Sequence, residues 1–367
     1  MKTHQRIRYA VVGLGHIAQT AILPAFENAA NSELVALVTN DPEKSAELST
    51  HYGVPAYRYE DFERALKETR AEVAFIALPN SLHREYTERA AKVGVHVLCE
   101  KPLAPTESDC RAMIGACQQA GVKLMTAYRL HFTDAHVCAI DLARSGELGE
   151  LRYFNSLFAM QVKDGNIRVK RETGGGPLFD LGVYCINAAR YLFQDEPTEV
   201  FAAIARADGD ERFKEVEEMA SVIFKFPGAR LATFTCSFGS ASMDQIDLVG
   251  TECSLHIEPA YGYAGELKWR LRRGDKVEER TFPAGDQFAG EIVYFSECLR
   301  TGEQPEPSGL EGIADIRIAN AIYQSAQQGR AIPLESIRRS RRPDGEQELK
   351  FPPIEEPEEV HAAAPHP

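Results

Sequence analysis

No run of 18 or more apolar residues occurs anywhere in the 367-residue chain, so no membrane span is expected. The eight cysteines include no C-x-x-C pair, and no Cys/His cluster has the spacing of zinc ligands. No metal is therefore expected, and reduced thiols in a cytosolic protein are the simplest account. Cys110 and Cys117 share a predicted helix but lie too far apart along it to bond. The N-terminal MKTHQRIRYAVVGLG runs straight into a glycine-rich motif. It lacks the apolar segment and small-residue cleavage site of a secretory signal, so a cytoplasmic location is expected. An excess of basic residues is also missing. The net charge of −13 repels phosphate backbones and excludes nucleic acid as a partner. No internal repeat is present.

What the chain does contain is 44% hydrophobic residues, enough for two cores at this length. Arg8 to Val12 is an apolar run ending at Gly13-Leu14-Gly15-His16-Ile17-Ala18. This G-x-G-x-x-A has a strand before it and a helical pattern after it. That context gives a tight turn, close backbone approach to a pyrophosphate and a helix N-terminus aimed at it. Pro24 kinks or ends the following helical segment. A second strand, Leu34 to Val38, ends in Thr39-Asn40, with Asp41 late and Lys44 following. A neutral strand end beside a cation suits a 2′-phosphate, so NADP is favoured over NAD, unless Asp41 folds back to a ribose.

The α/β rhythm continues. Strands at Glu72 to Leu78, Val95 to Cys99 and Lys123 to Ala127 alternate with helices at Phe62 to Glu68, Ser81 to Val93 and Thr106 to Ala120. Ser81 reads as a helix cap. Ligands gather at the carboxyl ends of such strands. Thr39, Pro79-Asn80, Glu100-Lys101-Pro102 and Tyr128-Arg129 all fall there. Lys101 either serves a substrate hydroxyl or a neighbouring acid, or is a surface lysine paired with Glu100. The Lys101–Pro102 bond is a candidate cis bond.

The second half reads as an α+β unit with one large, mostly antiparallel sheet. Its strands are expected at Leu151 to Met160, Glu199 to Ile204, Ala220 to Phe226, Arg230 to Phe238, Gln245 to Gly250, Cys253 to Ile257 and Leu267 to Arg272. Thr133 to Ser145, Gln287 to Arg300 and Gly309 to Gln328 read as helices. A large open sheet must cover its second face, so a homodimer or homotetramer packed through that sheet is expected.

Within this half lies Glu172 to Tyr191, ETGGGPLFDLGVYCINAARY. Pro177 suits a first helical turn, and Asp180 and Tyr184 are one turn apart on one face. They are a catalytic pair beside a glycine loop, or a buried tyrosine satisfying a nearby aspartate. The expected boundaries are 1–128 for an N-terminal Rossmann dinucleotide-binding domain and 129–342 for a substrate-binding and dimerisation domain. Residues 343–367 form an acidic Pro/Glu-rich tail, mobile or arm-like, with seven acidic residues and one lysine. The basic knot of Arg338, Arg339, Arg341 and Arg342 is an anion site or a solvated helix end paired with that tail.

The motifs GLGHIA, ALPNSLH, CEKP, AYRLHF and GGGPLFDLGVYCINAARYL together resemble the glucose–fructose oxidoreductase/inositol dehydrogenase/rhizopine-catabolism (Gfo/Idh/MocA) family across roughly residues 6 to 335. Tyrosine at 184, where many members have histidine, matches the sugar-oxidising branch. The resemblance implies an NADP-dependent oxidoreductase that oxidises an aldose of glucose or xylose type at C1 to its lactone. It also implies that Pro102 follows a cis bond. Lys101, Asp180 and Tyr184 form the implied catalytic set. Tyr184 acts as base, Lys101 favours its phenolate, and Asp180 orients sugar and lysine. A free tyrosine, with pKa about 10, needs such help at neutral pH.

The implied dinucleotide contacts are Gly13, Leu14, Gly15, His16, Ile17, Thr39, Asn40, Lys44, Leu78, Pro79, Asn80, His83, Glu100, Lys101, Arg129 and Arg168. Sugar contacts are Lys101, Tyr128, Arg171, Asp180 and Tyr184. A tightly held NADP allows the same site to reduce a second sugar. Glucose–fructose oxidoreductase itself is exported and holds its cofactor with an N-terminal arm; this chain shows neither signal nor long arm. The alternatives are a trans-dihydrodiol dehydrogenase and a non-catalytic NADP-binding sensor.

Overall fold

The apolar runs of the first half pair into one parallel sheet. In the computed structural model, which describes residues 5–337 and 341–366, its strands are β1 (Ile7–Val12), β2 (Ser32–Val38), β3 (Ala56–Tyr57), β4 (Val73–Ile76), β5 (His96–Glu100) and β6 (Leu124–Ala127). Their order is β3-β2-β1-β4-β5-β6, and every pairing is parallel. The chain changes direction between β1 and β4, so a crevice opens there at the carboxyl ends. All of β4 is buried, as expected of a strand with both faces covered. The helices of this half are α1 (Pro42–Tyr52), α2 (Phe62–Glu68), α3 (His83–Lys92) and α4 (Glu107–Ala120). Asp41 caps α1 and Thr106 caps α4 through side-chain oxygens. Ser81, expected to cap α3, lies instead in a 3₁₀ turn, and α3 has no side-chain cap.

The second half follows as α5 (Asp134–Ser145), β7 (Leu151–Gln161), α6 (Val183–Phe193), β8 (Glu199–Ala205), β9 (Met219–Phe226), β10 (Arg230–Ser237), β11 (Gly239–Gly250), β12 (Ser254–Ile257), β13 (Leu267–Arg273), β14 (Lys276–Phe282), α7 (Gln287–Thr301), α8 (Gly309–Gln328) and β15 (Ile332–Pro333). These strands form one sheet in the order β14-β13-β12-β11-β7-β10-β9-β8-β15. All neighbours are antiparallel except β7 and β10. Strand β14, KVEERTF, is exposed along most of its length, so it has no apolar face to announce it.

On β9, buried Ala220, Val222, Phe224 and Phe226 alternate with exposed Ser221, Ile223 and Lys225. The buried set joins α5, α6 and part of α8 in one core. The other face is uncovered, with Phe201 43% exposed and Ile223 and Leu231 each 46%.

Two segments read with the second half return to the first sheet. Phe288, Ala289, Ile292 and Phe295 of α7 pack with Tyr9, Val11 and Phe75. Ile313 and Ile316 of α8 pack against the opposite side. The acidic tail, expected to be mobile or arm-like, lies along its own chain. Leu349 N donates to Phe132 O at 3.3 Å, Asn28 Nδ2 to Pro352 O at 3.0 Å and Val360 N to Gln19 Oε1 at 2.8 Å. Beyond a 3₁₀ turn at Gly345–Gln347, its prolines interrupt regular structure, so backbone groups find partners on neighbouring elements. Of the arginine knot, Arg338 and Arg339 lie outside the described residues. Arg342 pairs with Glu196 at 3.0 Å and Arg341 with Glu303 at 3.9 Å, rather than with the tail. Among the described residues no helix is long and apolar enough to cross a membrane.

Candidate active site

The crevice at the carboxyl ends of the first sheet opens into a cavity of about 960 Å³ between the two sheets. One wall begins where β1 ends. Gly13 has φ +91°, and a Cβ there would sit 2.5 Å from Ala77 O, so only glycine makes this turn. Nothing lies within 4 Å of a Cβ built on Gly15, which leaves its backbone open to a ligand. The following segment is a π-helical turn, Ala18–Ile22, ended by Pro24, which opens a 3₁₀ turn. Gly13, Leu14, Gly15, His16 and Ile17 all line the cavity. So do Thr39, Lys44, Leu78, Pro79 and Asn80 from the next strand ends.

Lys101 follows β5 through a cis bond to Pro102. Its Nζ donates to Asp180 Oδ1 at 2.9 Å and to Asp180 O at 3.2 Å. Arg168 Nε holds the other oxygen of Asp180 at 2.7 Å. Asp180 lies in a π-helical turn, Leu178–Gly182, that leads into α6. The glycine loop before it is tight: a Cβ on Gly175 would collide with the carbonyls of Arg168 and Lys170. Burial pushes the Asp180 carboxyl up, but Arg168 and Lys101 outweigh it and hold it well below the usual carboxylate range. Burial likewise opposes charge on Lys101, but Asp180, Tyr184 and Glu100 outweigh it and raise its pKa. This pair is therefore a locked ion pair, with Asp180 and not Glu100 as the lysine's partner.

Tyr184 sits one turn on. Its oxygen accepts from Arg129 Nε at 3.2 Å. Lys101 Nζ lies 4.7 Å from its ring centroid and the Arg129 guanidinium 5.0 Å. The tyrosine does not satisfy Asp180; two cations surround it on the cavity wall. Phe158 packs edge-on against the Tyr184 ring at 5.8 Å and stacks on Tyr261 at 4.7 Å, which fixes the ring from the second-sheet side.

Beneath this group lie two carboxyls with unused capacity. Glu100 Oε1 and both oxygens of Glu291 are buried without a hydrogen-bond partner among the described residues, and both residues line the cavity. Burial pushes Glu100 up to about 7, against the pull of Lys101. Burial and the nearby Glu100 push Glu291 well above the carboxylate range. Open acceptors at a strand end, beside a glycine turn with accessible backbone, fit the hydroxyl and phosphate groups of a dinucleotide. Among the described residues no three metal-ligating side chains cluster.

Four expected contacts are not on the wall. Asn40 accepts from Tyr59 N at 2.9 Å. His83 is fully buried, with Nδ1 at Pro102 O and Nε2 at Leu78 O; burial lowers its pKa. It braces the loops around Lys101 from behind. Tyr128 turns inward to donate to Asp315 Oδ2 at 2.6 Å. Arg171 donates to Glu215 O at 3.0 Å. Each follows a correctly read strand end or loop, but the side chain leaves in another direction. Conversely, Met160, Asp244, Tyr261, Tyr263, Glu291 and His366 line the cavity without having been anticipated. They come from alternating strands, a loop, an amphipathic helix and the tail, where no local pattern tells which face opens to a cavity.

Two family models match the chain. The oxidoreductase family with an NAD-binding Rossmann fold matches residues 7–128, and the GFO/IDH/MocA C-terminal domain matches residues 137–256. The chain is 31% identical over 332 residues to the uncharacterized oxidoreductase ORF334 of Rhizobium meliloti, covering 88% of this chain and 98% of that one. It is 29% identical to D-xylose 1-dehydrogenase (NADP(+)) 2 of Haloferax volcanii, covering 89% and 99%. Among solved structures it is similar to the aldose-aldose oxidoreductase of Caulobacter crescentus complexed with glycerol. There the identity is 38% and the TM-score 0.86, with 90% of this chain and all of that one covered. A glycine turn at a parallel-sheet switch point, a cis Lys-Pro, and a Lys–Asp–Tyr cluster are thus joined to matching models over both halves: the chain belongs to the Gfo/Idh/MocA oxidoreductase family.

Proposed function

We propose that the protein is an NADP-dependent oxidoreductase that oxidises an aldose of glucose or xylose type at C1 to its lactone. We also propose that it holds NADP tightly enough to reduce a second sugar at the same site. The observation that carries this reading is the convergence of Tyr184, Lys101, Asp180 and Arg129 on a cavity whose far wall is the Gly13 turn. NADP over NAD is supported at the end of β2. Asp41 is committed to capping α1, accepting from Glu43 N at 3.0 Å and Lys44 N at 3.1 Å, while Thr39 and Lys44 face the cavity. The Haloferax relative is named for NADP.

When bound, NADP supplies the hydride acceptor. The chain's own residues manage the proton. Tyr184 takes it from the C1 hydroxyl as the hydride leaves C1. It does so as a phenolate, whose negative charge the Arg129 Nε–H and the nearby Lys101 ammonium stabilise until the proton arrives. Asp180, clamped by Arg168, keeps Lys101 in place, and its carboxylate faces the same space to orient a sugar hydroxyl. Reduction of a second sugar runs these steps backwards, with Tyr184 returning its proton to the carbonyl oxygen.

The exposed apolar side chains on the open face of the second sheet, Phe201, Ile223 and Leu231, support self-association there into a homodimer or homotetramer. Free thiols at all eight cysteines favour the reducing cytoplasm.

The test is Tyr184→Phe. It keeps the ring and removes the proton-transferring oxygen. Sugar-dependent nicotinamide reduction should fall about a thousandfold, with NADP affinity unchanged. Unchanged turnover would remove the mechanism. Intact binding by a wild type that reduces no sugar or diol would favour a sensor.

A further inference from the structure

The tail from residue 354 to 366 crosses the mouth of the cavity and touches both of its rims. At the glycine turn, Val360 and the side chain of Gln19 form a reciprocal pair. Val360 N donates to Gln19 Oε1 at 2.8 Å and Gln19 Nε2 donates back to Val360 O at 2.9 Å. Gln19 is 1% exposed and is itself anchored by Nε2 to Leu14 O at 2.9 Å, so the tail is clipped to the turn itself. Beside it, the Glu359 carboxylate lies 2.9 Å from His16 Nδ1, and the other ring nitrogen of His16 meets the Tyr263 hydroxyl at 3.3 Å. One residue on, His361 reaches the far end of the crevice, 3.2 Å from Asp41 Oδ2 and 2.7 Å from Glu43 Oε2. The chain then returns to the second-sheet rim, where Lys163 N donates to Pro365 O at 2.9 Å.

Glu356, Pro365 and His366 line the cavity from this side. About 960 Å³ stays open beneath them, so the tail is a roof and not a plug. The carboxylates of Glu355 and Glu358 are exposed. The tail's contacts near the expected pyrophosphate position are made by backbone, Gln19 and His16, and the Glu359 carboxylate is taken up by its contact with the His16 ring.

We propose that residues 354–366 are part of the dinucleotide site, a strap that retains NADP between turnovers. A dinucleotide lying along Gly13 to Ile17 and on toward Thr39 and Lys44 leaves only after the Gln19–Val360 clip opens. This rests on the reading of the crevice as an NADP site, and it gives physical grounds for the sugar-to-sugar cycle. A cofactor that leaves slowly meets a second sugar before it meets solvent.

The experiment measures release of NADPH, by loss of its fluorescence on challenge with excess NADP. It compares the full chain, Val360→Pro and a chain ending at Pro353. Val360→Pro removes one clip donor outside both sheets and guards against a shortened chain that fails to fold. Release should quicken by about tenfold or more in both variants, while the thermal midpoint without dinucleotide stays unchanged. Release unchanged within about twofold of the full chain, well inside the loss of even one hydrogen bond, overturns the strap. Slower release or tighter binding on shortening also overturns it, since the tail would then be a competitor. A full chain that binds no dinucleotide removes the reading of the site, and the strap with it.

Discussion

The two walls of the cavity are built by opposite means. The first-sheet wall is a row of strand ends: Gly13 after β1, Thr39 after β2, Leu78 to Asn80 after β4, and Lys101 after β5. Parallel topology delivers them together whatever the side chains are. The second-sheet wall has no such rule. Asp180 and Tyr184 share one helical segment, but Phe158 and Met160 come from β7, Asp244 from β11, and Tyr261 and Tyr263 from the loop after β12. Backbone geometry thus makes the binding half of the site and delivers Lys101 to the reaction, and side-chain packing makes the rest of the reacting half. The two should fail separately.

The sharpest test of that separation is a pair of substitutions. Tyr184→Phe is expected to remove about three orders of magnitude of turnover and leave dinucleotide affinity intact. Gly13→Ala is expected to do the reverse: positive φ and a Cβ 2.5 Å from Ala77 O force the turn open. NADP affinity should fall about 10- to 100-fold, with the rate of any saturated turnover far less affected. A Gly13→Ala protein that binds normally would break the comparison on its backbone side. Titration calorimetry and single-turnover absorbance read both.

Asp180→Asn comes next. It leaves Lys101 and Arg168 facing a neutral amide and frees the ammonium to move. A misplacement of about 1 Å at a reacting centre costs up to about a hundredfold, so kcat/KM should fall on that scale. Arg168 should matter only through Asp180, which a double-mutant cycle would reveal as non-additivity.

What the sequence made legible follows the same division. The G-x-G-x-x-A turn, the order of helices and strands in the first half and the strand-end addresses rest on period and punctuation, which local residues carry. The strand-end rule gives an address but not a direction, which is why Tyr128, at the end of β6, faces Asp315 and not a ligand. The π-helical turn at Leu178–Gly182 was invisible because i and i+4 spacing does not distinguish it from an α-turn. Strand β14 and the packing of α7 on the first sheet were hidden too. The former has no apolar face, and the latter is a choice among distant partners. The tail reads as mobile or arm-like by composition, yet several of its contacts are made by backbone groups that composition does not describe.

A smaller effect sharpens the cofactor side. Lys44→Ala should weaken NADP by about tenfold, the worth of one charge-assisted contact, and leave NAD binding unchanged. Equal loss for both would place Lys44 elsewhere than at the 2′-phosphate.

The smallest effect is a pH slope. The folded pKa of Glu100 is raised to about 7 by burial, above its unfolded value. Between the unfolded and folded values the native state holds a proton that the unfolded chain has lost. Stability should therefore fall as pH rises from about 5 to 7 and level off above. Thermal midpoints of the dinucleotide-free protein should follow this fall, and Glu100→Gln should flatten it. A slope unchanged in that variant would assign the titration to another group, with Glu291 next in line.

The most direct test of the central claim uses the protein as purified, with no cofactor added. Part is denatured and the released nucleotide identified; the rest receives glucose or xylose while nicotinamide absorbance is followed. NADP released in near-stoichiometric amount, and reduced by the sugar in one turnover that stops, is the predicted result. Bound nucleotide that no aldose reduces would contradict the account.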